Sequence, residues 1–131
     1  MFAIFSNTFA DSKTKLTYSP YEIGQALGKI SHKSFDAMNN ELVKKDFMSG
    51  FDDTILDKKP DYDKISDQDS YEVGMIIAAQ YEQSLKKLIK MNKENSQEFV
   101  KGFDSAVDAK DTKLTHQDEQ ILKHFKKLND D

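Results

Sequence analysis

The chain has 131 residues, enough for one domain with a modest core, and its 37% apolar and 32% charged residues favour helices that each bury one stripe. It contains no cysteine, which excludes a disulfide framework, a thiol nucleophile and a thiolate metal site. The formal net charge is −4 and all 19 basic residues are lysine, so the arginine fork used in nucleic-acid recognition is missing and no nucleic-acid partner is expected.

The N-terminal segment, residues 1–15, opens with the apolar stretch MFAIFSNTFA. Its residues 8–10 resemble the small-x-small pattern of a signal-peptidase site, but the basic n-region and long apolar stretch of a full signal peptide are missing. Two interpretations stay open. The segment is the remnant of an export signal, which favours a periplasmic or secreted location, or it is retained and packs on the helices, which leaves the cytoplasm open. No run of 18 apolar residues occurs, so no membrane span is expected.

The remainder, residues 16–131, is predicted to be a single helical domain that contains an internal repeat. Residues 21–24, Tyr-Glu-Ile-Gly, recur as residues 71–74, Tyr-Glu-Val-Gly. Residues 47–52, Phe-Met-Ser-Gly-Phe-Asp, recur as residues 99–104, Phe-Val-Lys-Gly-Phe-Asp. The matching blocks keep their order, which indicates a duplication.

Each repeat is predicted to hold two helices. The first helix of repeat 1 starts at Pro20, with Ser19 as its cap and Glu22 completing a capping box. The same register in repeat 2 makes Asp69 the cap. The second helices cover about residues 43–56 and 96–109, the latter capped by Asn95.

The spacing of polar and apolar residues divides the domain into two repeats, a linker and a final helix. Repeat 1 covers about residues 19–57 and repeat 2 about residues 69–110, and a charged linker at about residues 58–68 joins them. A final helix at about residues 115–128 begins with Thr115 as cap. Its buried side is predicted to consist of Ile121, Leu122, Phe125 and Leu128. The fold class is all-α: a small pseudo-twofold bundle of two tandem helix hairpins plus a C-terminal helix.

The five glycines all fall inside the repeats. Because glycine inside a helix costs about 1 kcal/mol relative to alanine, these positions predict close backbone approach where helices cross. They are Gly24, Gly28, Gly50, Gly74 and Gly102. The core that pairs the two repeats is predicted to be Tyr21, Ile23, Leu27, Phe47, Phe51, Tyr71, Val73, Phe99 and Phe103.

The motif order Tyr-x-x-Gly-x-x-x-Gly, then Phe-x-x-Gly-Phe-Asp, then Leu-Thr before a last helix resembles a known domain. It is similar to the N-terminal domain of FKBP-type peptidyl-prolyl isomerases of the macrophage infectivity potentiator and FkpA kind. Repeat 2 carries the whole pattern except its second glycine, which is Ala78. Repeat 1 lacks a last helix of its own. The resemblance covers about residues 16–128.

That resemblance implies a domain that intertwines with a second copy and that binds unfolded chains in a chaperone-like way. The β-rich isomerase domain that would follow is not contained in this sequence, so no isomerase activity is expected. Two repeats joined by a short linker predict pairing within one chain, and hence a monomer. A homodimer formed by exchange between chains is the alternative.

No catalytic, cofactor-binding or metal-binding residues are predicted. The three histidines lack metal-ligand spacing, and the acidic residues of the linker lack the glycine and closing glutamate of a calcium loop. The one candidate partner site is an adaptable groove formed by methionines. These are Met38, Met48, Met75 and Met91.

These observations predict a non-catalytic interaction module, chaperone-like or adaptor-like, whose partner is another polypeptide or an unfolded client. The first alternative is the detached N-terminal part of a full-length isomerase. The second is a secreted effector that binds one folded protein.

Overall fold

The computed structural model describes residues 18–38 and 42–130, and the N-terminal segment therefore lies outside the described residues. The part that is described contains five α-helices and one short 3-10 helix, Tyr62–Lys64, with no strand. The α-helices are α1 (Pro20–Met38), α2 (Lys44–Ile55), α3 (Gln68–Leu88), α4 (Lys93–Asp108) and α5 (His116–Asp130). The predicted all-α bundle is confirmed.

Two of the predicted helix starts are formed by reciprocal capping boxes. At α1 the backbone N–H of Ser19 donates to Glu22 Oε1 (2.9 Å), and the N–H of Glu22 donates to Ser19 Oγ (3.2 Å). At α5 the N–H of Thr115 donates to Asp118 Oδ2 (2.9 Å), and the N–H of Asp118 donates to Thr115 Oγ1 (3.0 Å). Each box satisfies two N–H groups that would otherwise lack partners.

The starts of α3 and α4 differ from the predicted ones. Asp67, rather than Asp69, occupies the cap position of α3, and its carboxylate accepts a hydrogen bond from the hydroxyl of Ser70. Asn92, rather than Asn95, caps α4, and its Oδ1 accepts from the N–H of Asn95 at 2.8 Å. A polar residue closer to the N-terminus begins α3 two residues earlier and α4 three residues earlier than predicted.

The main helix pairs join the two repeats. Helix α1 of repeat 1 packs along α4 of repeat 2, and α2 of repeat 1 packs along α3 of repeat 2. The two hairpins are therefore opened, and each helix finds its principal neighbour in the other repeat. Because the principal neighbour of each helix belongs to the other repeat, neither repeat can bury its apolar side by itself.

Glycines set the closest approach at both crossings. A methyl group added at Gly24 would collide with the carbonyl oxygen of Phe99 and the backbone nitrogen of Phe103. A methyl group added at Gly74 would collide with the carbonyl oxygen of Phe47 and the backbone nitrogen of Phe51. Residues 47 and 51 correspond to residues 99 and 103 in the repeat, so the two crossings use equivalent atoms.

The reciprocal glycines follow the same rule. Gly102 faces the carbonyl oxygen of Tyr21, and Gly50 faces that of Tyr71. A pseudo-twofold axis therefore relates α1 and α4 to α3 and α2.

The centre of the core lies on this axis. The rings of Phe51 and Phe103, which are equivalent residues, stack with centroids 3.9 Å apart and planes 9° apart. Tyr81 meets the edge of Phe51 at 5.7 Å and that of Phe125 from α5 at 5.3 Å. Burying a phenylalanine side chain stabilises a fold by roughly 1.5–3 kcal/mol, and each such ring pair adds about 0.5–1.5 kcal/mol. Ile121 of α5 is also fully buried, whereas Leu122 is half-buried.

Candidate functional site

The residues predicted to pair the repeats lie in the core. Tyr21 and Val73 are half-buried, and the other seven are buried. The hydroxyl of Tyr71 donates to Asp53 Oδ2 at 2.8 Å, and burial together with this bond raises the pKa of Tyr71 to about 12. These aromatic rings support the fold and leave no ring free to hold a ligand at the crossing.

The methionines predicted to form a groove line more than one depression of the surface. Met75 of α3 and Met91, which precedes α4, line one open groove. Met48 does not line this groove. It lines a separate depression between α2 and α4. The side chain of Met38 lies outside the described residues. The structure thus brings together two of the four methionines.

The groove that Met75 and Met91 share, here called the methionine groove, has a volume of about 800 Å³. Its apolar wall is formed by Ile55 and Leu56 at the end of α2, together with the two methionines. Polar residues line the rest, including Glu82 and Lys86 of α3. Burial raises the pKa of Glu82. The mixture of an adaptable apolar strip and fixed charges suits a polypeptide segment.

A second apolar opening lies between the C-terminal half of α1 and the N-terminal half of α3. This α1–α3 cavity has a volume of about 140 Å³. Phe35 of α1 and Val73, Ile77 and Tyr81 of α3 are among its lining residues. On the same half of α3, Ile76 is 56% exposed, so most of this large apolar side chain lies in solvent.

Two equivalent carboxyl groups, those of Asp52 and Asp104, meet beside the pseudo-twofold axis. Burial raises the pKa of both, and a hydrogen bond from one to the other raises that of Asp52 further, to about 9. Their Oδ1 atoms are buried without a hydrogen-bond partner in the protein. Because two close carboxylates repel each other, the pair is expected to hold one proton at neutral pH.

The pair lies in the depression between α2 and α4 that Met48 also lines. Lys44 lies in the same depression, and its ammonium group binds Asp108 (3.1 Å) and the carbonyl oxygen of Val107 (3.2 Å). Within the described part of the chain, no group of three or more histidine and carboxylate side chains could hold a metal ion. The pair is better explained as a buried electrostatic contact between α2 and α4.

The histidines are placed separately. The Nδ1 atom of His32 lies 2.7 Å from the carbonyl oxygen of Val107, so this ring joins α1 to the end of α4. His116 and His124 both lie on α5, and His116 is exposed. The acidic linker likewise forms no ion site in the described residues.

Two buried aspartates, which sequence reasoning did not identify, each tie two segments of the fold together. Asp46 accepts from the hydroxyl of Ser66 (2.6 Å) and from the N–H of Asp67 (2.7 Å), which ties the linker to α2 and lowers the pKa of Asp46. Asp118 binds the ammonium group of Lys29 at 2.5 Å, which helps to lower the pKa of Asp118 and ties α5 to α1. Asp118 could be recognised as a capping residue, whereas its lysine partner lies 89 positions away.

Comparison of the chain with protein-family models, curated proteins and solved structures gave no significant match. Among the described helices, none combines the length and the apolar character that crossing a membrane requires.

Proposed function

We propose that the chain is a non-catalytic module that binds other polypeptides. The observation that carries this proposal is the apolar surface of α3. Its residues Met75 and Ile76 are exposed, Met75 lines the methionine groove, and Val73 and Ile77 of the same helix line the α1–α3 cavity. The core beneath them is already filled by stacked phenylalanines, so the fold does not need these side chains for its own packing.

The interleaved repeats support kinship with the FKBP-type N-terminal domain. In each crossing a glycine of one repeat lies against the backbone of the other, as Gly24 does on Phe99 and Gly74 on Phe47. We propose that a duplication placed both partners in one chain, which then acts as a monomer. The linker makes the pairing intramolecular, and its effective concentration is on the order of millimolar.

An unfolded or extended client is the partner class that suits the methionine groove. Methionine side chains adapt to different apolar surfaces, while Glu82 and Lys86 offer charges of both signs. Such a groove favours broad recognition over a single tightly fitted ligand.

Binding of a chemically reduced and alkylated client chain, followed by fluorescence anisotropy, tests this proposal. We expect saturable binding and slower aggregation of a thermally unfolding client. The double substitution Met75→Glu and Met91→Glu is expected to weaken client binding by about 10-fold, since it places charges in the apolar strip.

The matched control is Lys123→Glu, an exposed position on α5 away from the groove. It is expected to change client binding by less than about 2-fold, the range typical of residues outside the binding centre. No binding to any unfolded client, with a correctly folded chain, would contradict the proposed function.

A further inference from the structure

Helix α5 covers one face of α1. The amide of Gln117 donates to Glu22 Oε2 at 2.6 Å, and the ammonium group of Lys29 donates to Asp118 Oδ2 at 2.5 Å. Ala26 lies between Glu22 and Lys29 on the same side of α1 and is 0% exposed. Since these positions are four and three residues apart, they form one continuous helical face. This face is therefore the seat on which α5 begins.

Among residues 18–38 and 42–130, no helix covers the equivalent face of α3. A shift of 50 residues takes Glu22, Ala26 and Lys29 to Glu72, Ile76 and Ala79, which are all exposed. Where repeat 2 continues into α5, repeat 1 continues into the linker, whose end is held by Asp46 on α2.

The pseudo-twofold axis also locates the rest of this uncovered face. From α1, helix α5 extends to the C-terminal half of α3, where Phe125 meets Tyr81. The pseudo-twofold axis carries this track onto the N-terminal half of α3 and the C-terminal half of α1. The α1–α3 cavity lies there, lined by Val73, Ile77 and Phe35. An apolar cleft is thus present where the symmetry places the equivalent of the α5 seat.

We propose that this vacant seat binds an amphipathic helix of another polypeptide, lying as α5 lies on its own seat. The inference rests on the proposed function and names the partner's chemistry. By analogy with Ile121 and Phe125 of α5, the helix presents apolar side chains four residues apart toward the cleft. Helix-in-groove recognition of this kind uses anchors at i and i+4.

The charged residues of the vacant seat indicate which polar side chains the partner helix carries. Glu72 stands where Glu22 binds an amide, and its Oε2 already accepts from the side-chain amide of Gln68 at 3.1 Å, so an amide or a lysine of the partner fits this position. Ala79 stands where Lys29 binds Asp118, so the seat lacks the cation that an acidic partner would need. A second copy of α5 would bury Asp118 without its lysine, which argues for a helix from a different chain.

A synthetic peptide of residues 113–128 with Gln117→Lys and Asp118→Gln is the probe, titrated with the full chain by fluorescence anisotropy, because glutamine keeps the capping role of Asp118 without burying a carboxylate on a seat that lacks a cation. We expect saturable one-to-one binding. Ile76→Glu is expected to weaken it at least about 10-fold because a charge replaces the central apolar contact. Met75→Glu is the matched control, as it lies on the same helix but lines the methionine groove, and should change peptide affinity by less than about 2-fold.

A gain-of-function variant sharpens the test. Ala79→Lys restores on α3 the cation that Lys29 provides on α1, so it should bind the same peptide with Asp118 retained about 2- to 5-fold more tightly than the wild-type chain binds it. Absence of saturable binding, or binding that Ile76→Glu leaves unchanged, would overturn the inference. Self-association of the chain without peptide that Ile76→Glu abolishes would overturn it as well, by assigning the seat to a second copy.

The two proposals fail separately. If the peptide does not bind while an unfolded client still binds in a Met75-dependent way, the vacant seat is refuted and the proposed function stands. If neither the peptide nor any client binds, both are refuted.

Discussion

The two repeats are alike where they touch each other and unlike where they face outward. Gly24 and Gly74 approach equivalent backbone atoms of the opposite repeat. Of their neighbours on the outer face, Ala26 is 0% exposed under α5, whereas its equivalent Ile76 is 56% exposed. The comparison shows that a position in contact with the backbone of the facing helix must be glycine, since no side chain fits there. On the outer face, the residue type differs between the repeats according to what covers it.

One difference reaches into the crossings themselves. Ala78 of α3 is fully buried with its methyl group in place. Its equivalent on α1 is Gly28, where an added methyl group would collide with the carbonyl oxygen of Phe103. At this end, α1 therefore packs more closely on α4 than α3 packs on α2.

The largest expected effect comes from breaking both crossings in the same way. Gly24→Val and Gly74→Val each drive a branched side chain into the backbone of the facing helix. We expect each to lower the free energy of unfolding by more than about 4 kcal/mol, a large part of the stability of a small domain. Urea unfolding measures this, with exposed Ala79→Val as the control. A small effect of one variant and a large effect of the other would break the equivalence.

The covered and uncovered faces should respond in opposite ways. Phe125→Ala removes a buried ring from under α5 and is expected to cost about 3–5 kcal/mol of unfolding free energy. Ile76→Glu is expected to change that free energy by less than about 0.5 kcal/mol, because the side chain is largely in solvent. Thermal and urea unfolding of the two variants compare these values. Strong destabilisation by Ile76→Glu would mean that its face is part of the core.

The acid pair predicts a pH dependence with a definite sign. The pKa of Asp52, near 3.8 in an unfolded chain, is raised to about 9 in the fold. The folded chain therefore keeps a proton that the unfolded chain loses. Its stabilising contribution is complete below about pH 4 and is lost as the pH rises toward about 9.

Asp52→Asn removes this titration. We expect the variant to gain about 1–3 kcal/mol in unfolding free energy relative to the wild type between pH 5 and pH 9. Urea unfolding at both pH values measures the difference, with the exposed linker substitution Asp63→Asn as control. Parallel pH profiles of Asp52→Asn and the wild type would contradict the shared proton.

Among the substitutions that remove a contact of the fold, those in the two capping boxes, one in each half of the chain, should have the smallest effects. Ser19→Ala and Thr115→Ala each remove a side-chain acceptor for a helix N–H and should cost about 1 kcal/mol. Circular dichroism during thermal unfolding measures this loss. A Thr115→Ala effect as large as that of Phe125→Ala would show that the cap controls the docking of α5.

Much of the fold could be predicted because its signals are local. Helical spacing and capping boxes predicted the first residues of α1 and α5 nearly to the residue. The repeated Tyr-x-x-Gly blocks marked the helices that cross. The starts of α3 and α4 could not be assigned because several polar residues competed for each cap, and Asp67 and Asn92 occupy those positions.

The candidate site depends on packing that local patterns do not contain. Met48 and Met75 have the same chemistry, but they lie on different helices and line different depressions. The vacant seat becomes visible only when α5 is seen on α1. The sequence shows that repeat 1 lacks a last helix, but not which surface that helix would have covered.

The central claim is that both crossings form within one chain. Isotope-filtered NOE spectroscopy on a mixture of labelled and unlabelled chains tests it most directly, through the contacts of the Gly24 α-protons with the Phe103 amide and of the Gly74 α-protons with the Phe51 amide. We predict both NOEs in the labelled chain alone and neither in the spectrum that selects contacts between chains. Intermolecular NOEs at these positions, or the absence of either contact, would contradict the account.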